Sequence, residues 1–106
     1  MRVRLRALAG SQHAIYRLAP GLLLVRKPRG HHEAAHCHPY RQRWRVLRGE
    51  LSVGLGTRRV RLHPGSRPLL VAAGRVHDTV AVRGTWLLVE SGLVEVSRCD
   101  APRRRE

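Results

Sequence analysis

The sequence predicts an all-β domain, a sandwich or barrel of about nine or ten short strands. Short apolar runs recur along the chain, separated by turns such as Pro20-Gly21 and Arg83-Gly84. Within several runs apolar and polar residues alternate, which is the period of a half-buried strand. No segment carries a helical period long enough for a substantial helix. Because Phe is absent and aromatic residues make up only 4%, the core has to be built from Leu and Val.

The apolar runs place the expected strands in order along the chain. The first, residues 2–8, reads as an edge strand or an exposed lead-in. The others cover residues 13–18, 22–25, 31–38, 42–47, 51–55, 60–62, 68–72, 77–82, 85–90 and 93–96. Pro39 has no backbone N–H to donate, so strand 31–38 is expected to end beside it. Residues 22–25 are apolar on both faces, which predicts cover by a second sheet or a partner subunit.

Side-chain alternation assigns the faces of two later strands. In strand 42–47 the arginines face water and the intervening residues face inward, namely Gln42, Trp44 and Val46. In strand 77–82 one face carries His77, Thr79 and Ala81, and the other carries Asp78, Val80 and Val82. Apolar runs 22–25 and 87–89, together with the outward valines, need more cover than one small barrel provides. We therefore expect a homodimer.

A chain of 106 residues is long enough for one domain with its own core. We assign residues 1–97 to a single domain, with the barrel core at about 22–97, and expect the polar tail 98–106 to be disordered. No apolar run approaches the roughly 20 residues of a membrane span, and no segment resembles a signal peptide. The two cysteines, Cys37 and Cys99, lack C-x-x-C spacing and are expected to be free thiols. A soluble, cytoplasmic protein is therefore expected.

The net charge of +14 comes from 20 Arg and a single Lys, Lys27. Such a basic excess is typical of chains that bind nucleic acid or another anionic surface. The arginines are scattered, however, and no helix is available for a helix-turn-helix reader. The near-complete preference for Arg over Lys also indicates codon bias. An Arg-rich nucleic-acid or anion binder is therefore kept only as a further alternative, with nucleic acid disfavoured.

The strongest chemical signal is the His36-Cys37-His38 triplet. On a strand, residues two apart share a face about 6.6 Å from each other, so the two histidines form a potential chelate. Neutral imidazole is the commonest metal ligand in proteins. Cys37 has the opposite parity and is expected to point away from the site. The simpler interpretation is a pair of surface histidines.

The triplet lies in a motif that resembles the cupin superfamily of small jelly-roll barrels. The first cupin motif is matched by Gly30, then His36 and His38, then Gln42 in place of the usual Glu, then Gly49, all at the family's spacing. The second motif is degenerate. It keeps Pro64-Gly65, Gly74 and His77, but Ala72 and Ala81 replace the expected Pro and Asn. The resemblance covers roughly residues 22–97 and implies a double-stranded β-helix fold.

The resemblance implies a divalent transition metal (Fe, Mn, Ni, Zn or Cu) held by His36, His38, Gln42 and His77. These four residues also have inward parity on their expected strands. Gln42 is open to two interpretations: it touches the metal or its bound water, or it is an outer donor beside a three-histidine site. An amide leaves the metal's charge uncompensated, which favours anionic ligands. An empty barrel with hydrogen-bonded histidines is the alternative to a metal site.

We expect the site to bind or transform a small organic molecule, including anionic ones. The family resemblance favours dioxygenase-like or isomerase-like chemistry, while a non-enzymatic metabolite sensor is the main alternative. Residues expected to line the substrate pocket are Trp44, Val46, Thr79 and Tyr40. No catalytic residue can be assigned.

The remaining candidates are expected to be peripheral. Glu33 has outward parity and is expected to be a surface charge, which would leave the interior without a carboxylate base. His32 is expected at the mouth of the barrel, and His13 and His63 in solvent.

Overall fold

The computed structural model describes residues 13–92, which form nine β-strands and no helix. The strands are β1 Ala14–Ala19, β2 Leu22–Lys27, β3 His32–His36, β4 Gln42–Arg48, β5 Leu51–Leu55, β6 Arg58–Leu62, β7 Leu69–Val71, β8 His77–Ala81 and β9 Thr85–Ser91. Each of them coincides with a predicted strand to within a few residues. The all-β prediction is confirmed for this part of the chain.

The strands form two antiparallel sheets. One has the order β1-β2-β9-β4-β7 and the other the order β3-β8-β5-β6. Neighbours in each sheet are often distant in sequence. β4, for example, pairs with β9 along most of its length, as expected for a jelly-roll barrel, in which long connections cross between sheets.

A cluster of Leu, Val and Trp side chains joins the two sheets. β4 contributes Trp44 and Val46, and β5 contributes Leu51 and Val53, both of which are completely buried. The arginines of β4 are exposed, and Gln42, Trp44 and Val46 are buried, as the alternation predicted. β8 shows the same agreement, because His77, Thr79 and Ala81 are its buried residues. In the absence of Phe, the core consists mainly of the branched aliphatic side chains of Leu and Val.

Gly49 fixes the tight turn between β4 and β5. Its φ is 90°, in the region that favours glycine. A Cβ at this position would collide with the carbonyl oxygen of Gly84 and with Thr85. The side chain of Thr85 also accepts a hydrogen bond from the backbone N–H of Glu50 at 3.1 Å. This close approach joins the end of one sheet to the turn that leads into β9.

Several sequence predictions fall outside residues 13–92. These are the strands at 2–8 and 93–96, the limits of the single domain at 1 and 97, and the disordered tail 98–106. Within the described part, no helix is long and apolar enough to cross a membrane.

The prediction of a free thiol at Cys37 is wrong, because this cysteine is disulfide-bonded. The only other cysteine in the sequence is Cys99, which lies beyond the described residues. The spacing argument failed because it searched for a local C-x-x-C pair, whereas a β fold brings distant residues together. The cytoplasmic location, which rested partly on free thiols, stays a prediction.

Candidate metal centre

Three histidines converge at one end of the barrel. His36 is the last residue of β3 and pairs directly with His77, the first residue of β8. His38 follows two residues later, just beyond the strand. One ligand nitrogen from each ring can be chosen so that all three lie within 4.8 Å of one another. The long-range element that completes the cluster is therefore the β3–β8 ladder.

Hydrogen bonds orient two of the rings toward the centre of this cluster. Nδ1 of His36 lies 2.8 Å from the carbonyl oxygen of Ala34. Nδ1 of His77 lies 2.9 Å from the carbonyl oxygen of Arg75. A carbonyl can only accept, so the neutral form of each ring carries its proton on Nδ1 and has a lone pair on Nε2. Such support is typical of histidines that bind a metal.

His77 provides the most direct test of whether the residues fit a metal. The residue is only 1% exposed. Its Nε2 has no hydrogen-bond partner in the structure. Burying an unsatisfied polar atom costs about 1–3 kcal/mol, so a buried lone pair aimed at two other imidazoles requires an explanation. A bound cation would supply one, and the donor set of three imidazole nitrogens suits Fe, Ni, Cu or Zn.

Two of the three rings are also held in the neutral form that a ligand requires. Burial lowers the pKa of His38, and the neighbouring His36 and His77 lower it further. Burial likewise lowers the pKa of His77, although its bond to the Arg75 carbonyl opposes the shift. At neutral pH both rings therefore present an unprotonated nitrogen, which metal binding requires.

Gln42 lies beside this cluster at the start of β4 and is 7% exposed. Its Oε1 accepts a hydrogen bond of 3.0 Å from Nε1 of Trp44. Its Nε2 donates to Oγ of Ser91 over 3.4 Å. These contacts engage the oxygen that would bind a metal, which favours the second interpretation of Gln42, an outer donor. Direct ligation stays a prediction.

The fold and this site can be compared with solved structures. A cupin superfamily protein from Desulfitobacterium hafniense superimposes with a TM-score of 0.71 and 17% identity, over 86% of this chain and 82% of that one. The DMSP lyase DddQ from Ruegeria pomeroyi superimposes with a TM-score of 0.65 and 24% identity, over 80% of this chain and 49% of that one. A salicylate 1,2-dioxygenase from Pseudoaminobacter salicylatoxidans, in complex with gentisate, superimposes with a TM-score of 0.64 and 17% identity. The match covers 74% of this chain and 24% of that one.

This protein has the cupin fold. The resemblance seen in the first motif is thereby confirmed at the level of the fold. Neither a protein-family model nor a curated protein sequence matches the chain. At identities this low the structural likeness establishes the architecture alone, so the chemistry has to be argued from the residues of this site.

A cavity of about 140 Å³ opens beside the histidines within the cupin barrel. Its walls include His36, His38, Tyr40 and Trp44, together with apolar residues of β2 and β9. Of the four residues predicted for the substrate pocket, Tyr40 and Trp44 lie on this wall. Val46 and Thr79 are not among its lining residues and are buried in the core.

The structure corrects the assignment of Glu33, which lines the cavity instead of facing away from the barrel. The β3–β8 ladder shifts register between Glu33 and His36. This irregularity cancels simple alternation and brings both residues to the same side. Oε1 of Glu33 lies 3.8 Å from Nε2 of His36 and 3.4 Å from Nζ of Lys27. The interior therefore does contain a carboxylate, which sequence parity missed.

The charges around Glu33 keep its carboxyl group ionised. Burial on its own raises the pKa of the carboxyl group, but the charges of Lys27 and His36, together with the Lys27 hydrogen bond, outweigh it. The pKa of Glu33 is therefore held below its usual value, and the group is ionised at neutral pH.

The remaining histidines divide between the cavity and the surface. His13 was expected to face solvent, but it lines the cavity and stacks on His31 with ring centroids 4.4 Å apart. Burial and the charge of Lys27 lower the pKa of both rings. His63 is exposed as predicted, and His32 is also exposed and not part of the cavity wall.

Proposed function

We propose that this cupin binds a divalent transition metal through His36, His38 and His77 and uses it to bind or transform a small organic molecule. The observation that carries the proposal is the convergence of three imidazoles, with the Nε2 atom of His77 buried and unpaired. Fe, Mn, Ni, Zn and Cu all remain candidates. Gln42 would support the site through Trp44 or complete it as a fourth ligand.

Three protein ligands suit a reactive site better than a structural one. A metal held by these three residues would keep positions for water or a ligand oxygen and would supply Lewis-acid chemistry there. The protein contributes a small cavity with an aromatic wall, formed by Trp44 and Tyr40, and an ionised carboxylate at Glu33. The hydroxyl of Tyr40 also lies 3.4 Å from Nδ1 of His38, and the two rings stack with centroids 5.1 Å apart.

The choice between an enzyme and a sensor depends on turnover. The motif resemblance favours dioxygenase-like or isomerase-like chemistry as the first hypothesis, and the proteins of similar fold include a lyase and a dioxygenase. A non-enzymatic metabolite-binding cupin is the alternative. An anion- or nucleic-acid-binding role for the exposed arginines is weaker, because Arg59 and Arg61 already pair with Asp78 and Glu50. A gel-shift titration would show steep salt dependence if that role were real.

Elemental analysis of protein purified without a metal-affinity tag tests the metal site directly. We expect about one metal per chain, either as purified or after incubation with Fe, Mn, Ni or Zn. Occupancy below about 0.2 per chain under all of these conditions would refute the proposal, since a preformed three-histidine site should load. Substrate screening of the loaded protein then separates enzyme from sensor.

We also propose that the protein forms a homodimer through the outer face of the first sheet. Leu24, Trp86 and Leu88 lie on neighbouring outward positions of β2 and β9 and are only partly buried. An apolar strip of this kind gains free energy when a second copy covers it. Light scattering at micromolar concentration should give twice the chain mass, and a monomer would contradict the proposal.

A further inference from the structure

Lys27 is the only lysine in a chain with 20 arginines, and it lies inside the barrel. It ends β2, on the same face as Leu23 and Val25, and is 3% exposed. Lysine is seldom buried to this degree, because an ammonium loses its hydration there. A compact ammonium fits a small cavity better than the wide guanidinium used elsewhere in the chain. Its position therefore requires a compensating partner.

The partner within the described residues satisfies the ammonium only in part. Nζ of Lys27 donates to Oε1 of Glu33 over 3.4 Å, which is long for a charge-assisted bond. An ammonium has three N–H donors, and the structure shows this single hydrogen bond for Lys27 in residues 13–92. Counted over these residues, the ammonium has donor capacity left for a further acceptor, and Lys27 lines the cavity.

This ammonium also lies close to the candidate metal ligands. The oxygen of Glu33 that contacts Lys27 is the same atom that lies 3.8 Å from Nε2 of His36. The two distances placed end to end separate the ammonium from that imidazole nitrogen by no more than about 7 Å. One small molecule can therefore touch both.

The balance of charge favours a negative occupant. Glu33 is the single acidic side chain on the described cavity wall, and it offsets Lys27. Gln42 is neutral, so the two positive charges of a bound divalent metal would meet no other compensating carboxylate on that wall. An anionic ligand would supply the missing charge beside the buried ammonium of Lys27.

We propose that Lys27 is the anion-binding group of the cavity and that the ligand is a small carboxylate. Its carboxylate accepts hydrogen bonds from the Lys27 ammonium, shared with Glu33, and its remaining polar atoms face the histidine cluster. Glu33 positions the ammonium. The cavity of about 140 Å³ limits the ligand to a few non-hydrogen atoms. This inference rests on the proposed metal-dependent function and names the substrate class for it.

Matched carboxylate and amide probes test the proposal. Acetate and acetamide, glycolate and glycolamide, and malonate and malonamide differ in charge far more than in shape. Binding of each probe to the zinc-loaded protein is measured by calorimetry. At least one carboxylate should bind about ten- to hundredfold more tightly than its amide, the range expected for a hydrogen-bonded ion pair.

Variants attribute that preference to the cavity. Lys27→Met should bring carboxylate affinity down to that of the amide, at unchanged zinc content. Arg29→Met removes one positive charge from an exposed residue just beyond β2 and should keep the preference. Because Lys27→Met leaves Glu33 unpaired, the double variant Lys27→Met/Glu33→Gln serves if the single variant does not fold.

Three outcomes would overturn the inference. The first is equal affinity for every carboxylate and its amide, and the second is that no carboxylate binds even at concentrations well above millimolar. The third is full carboxylate preference in the folded Lys27 variant. Elemental analysis of the same samples keeps the two proposals separate. A wild-type chain that takes up no metal refutes the proposed function, whereas a loaded chain without carboxylate preference refutes only the role of Lys27.

Discussion

Replacing His77 by Leu should weaken metal binding at least about hundredfold and leave the metal-free fold nearly as stable as before. The substitution keeps a side chain of similar size against Trp44, whose ring lies 5.1 Å from that of His77. It removes the unpaired Nε2 atom, which costs the metal-free protein about 1–3 kcal/mol. It also removes the bond to the Arg75 carbonyl, which belongs to an exposed residue and can turn to water. The two effects oppose each other, so the net change should stay below about 2 kcal/mol.

The effect on the metal-bound protein should be much larger. At a zinc concentration about 100 times the dissociation constant, binding stabilises the folded state by about 2.7 kcal/mol. For a domain of this size that corresponds to a rise in Tm of about 10–20 °C. Loss of one of three ligands should weaken binding at least about hundredfold, because even changes to outer residues cost 10–100-fold. The same zinc concentration would then contribute less than about 0.5 kcal/mol.

Thermal unfolding with and without zinc, combined with elemental analysis, measures both effects. His63→Leu is the matched control, because His63 is exposed and outside the cluster. The control should keep the wild-type shift in Tm. If His77→Leu retained one metal per chain and the full shift, His77 would not be a ligand and the site would have to be assigned elsewhere.

Three further predictions follow from the same geometry. Gln42→Glu should raise metal affinity at least about tenfold, because a carboxylate offsets the metal's charge. Chelator competition measures this affinity, and an unchanged value would place the side chain outside the site. Burial lowers the pKa of His38 and His77 from 6.5, so the unfolded chain binds more protons, and stability of the metal-free protein should fall as pH drops below that value. Urea unfolding that is independent of pH there would contradict this. Gly49→Ala should lower the free energy of unfolding by at least about 2 kcal/mol more than Gly65→Ala does. Both glycines have φ near 90°, but of the two only Gly49 leaves no room for a Cβ. Equal urea midpoints for the two variants would disprove the clash.

Local patterns were sufficient to predict the strands and part of the site. Alternation placed Gln42, Trp44 and Val46 on the inner face of β4, and the structure agrees. Motif spacing singled out His36, His38 and His77, which the structure brings within ligand distance of one another. The alternation depends on the two-residue period of a strand, which neighbouring residues determine by themselves, whereas His77 was assigned from its place in the second cupin motif.

The same rule failed where the backbone departs from regular pairing. Glu33 was assigned to the outside because it lies three residues from His36, but the register shift in the β3–β8 ladder turns it inward. Lys27 carried no sequence signal for the cavity, since its position depends on where β2 meets β9 and β3. Cys37 was misjudged for a related reason: its disulfide cannot be seen from cysteine spacing.

The sequence alone thus determined the β architecture, the Leu- and Val-rich core and the histidine pair. These features depend on composition and on the alternation of neighbouring residues. Only the tertiary structure decided that the Nε2 atom of His77 is left unpaired beside the other two histidines, that Gln42 is engaged by Trp44, and that Lys27 and Glu33 share the cavity. Those contacts join strands that are far apart in the chain. Their geometry depends on ladder register and irregularities that arise only when the two sheets pack together.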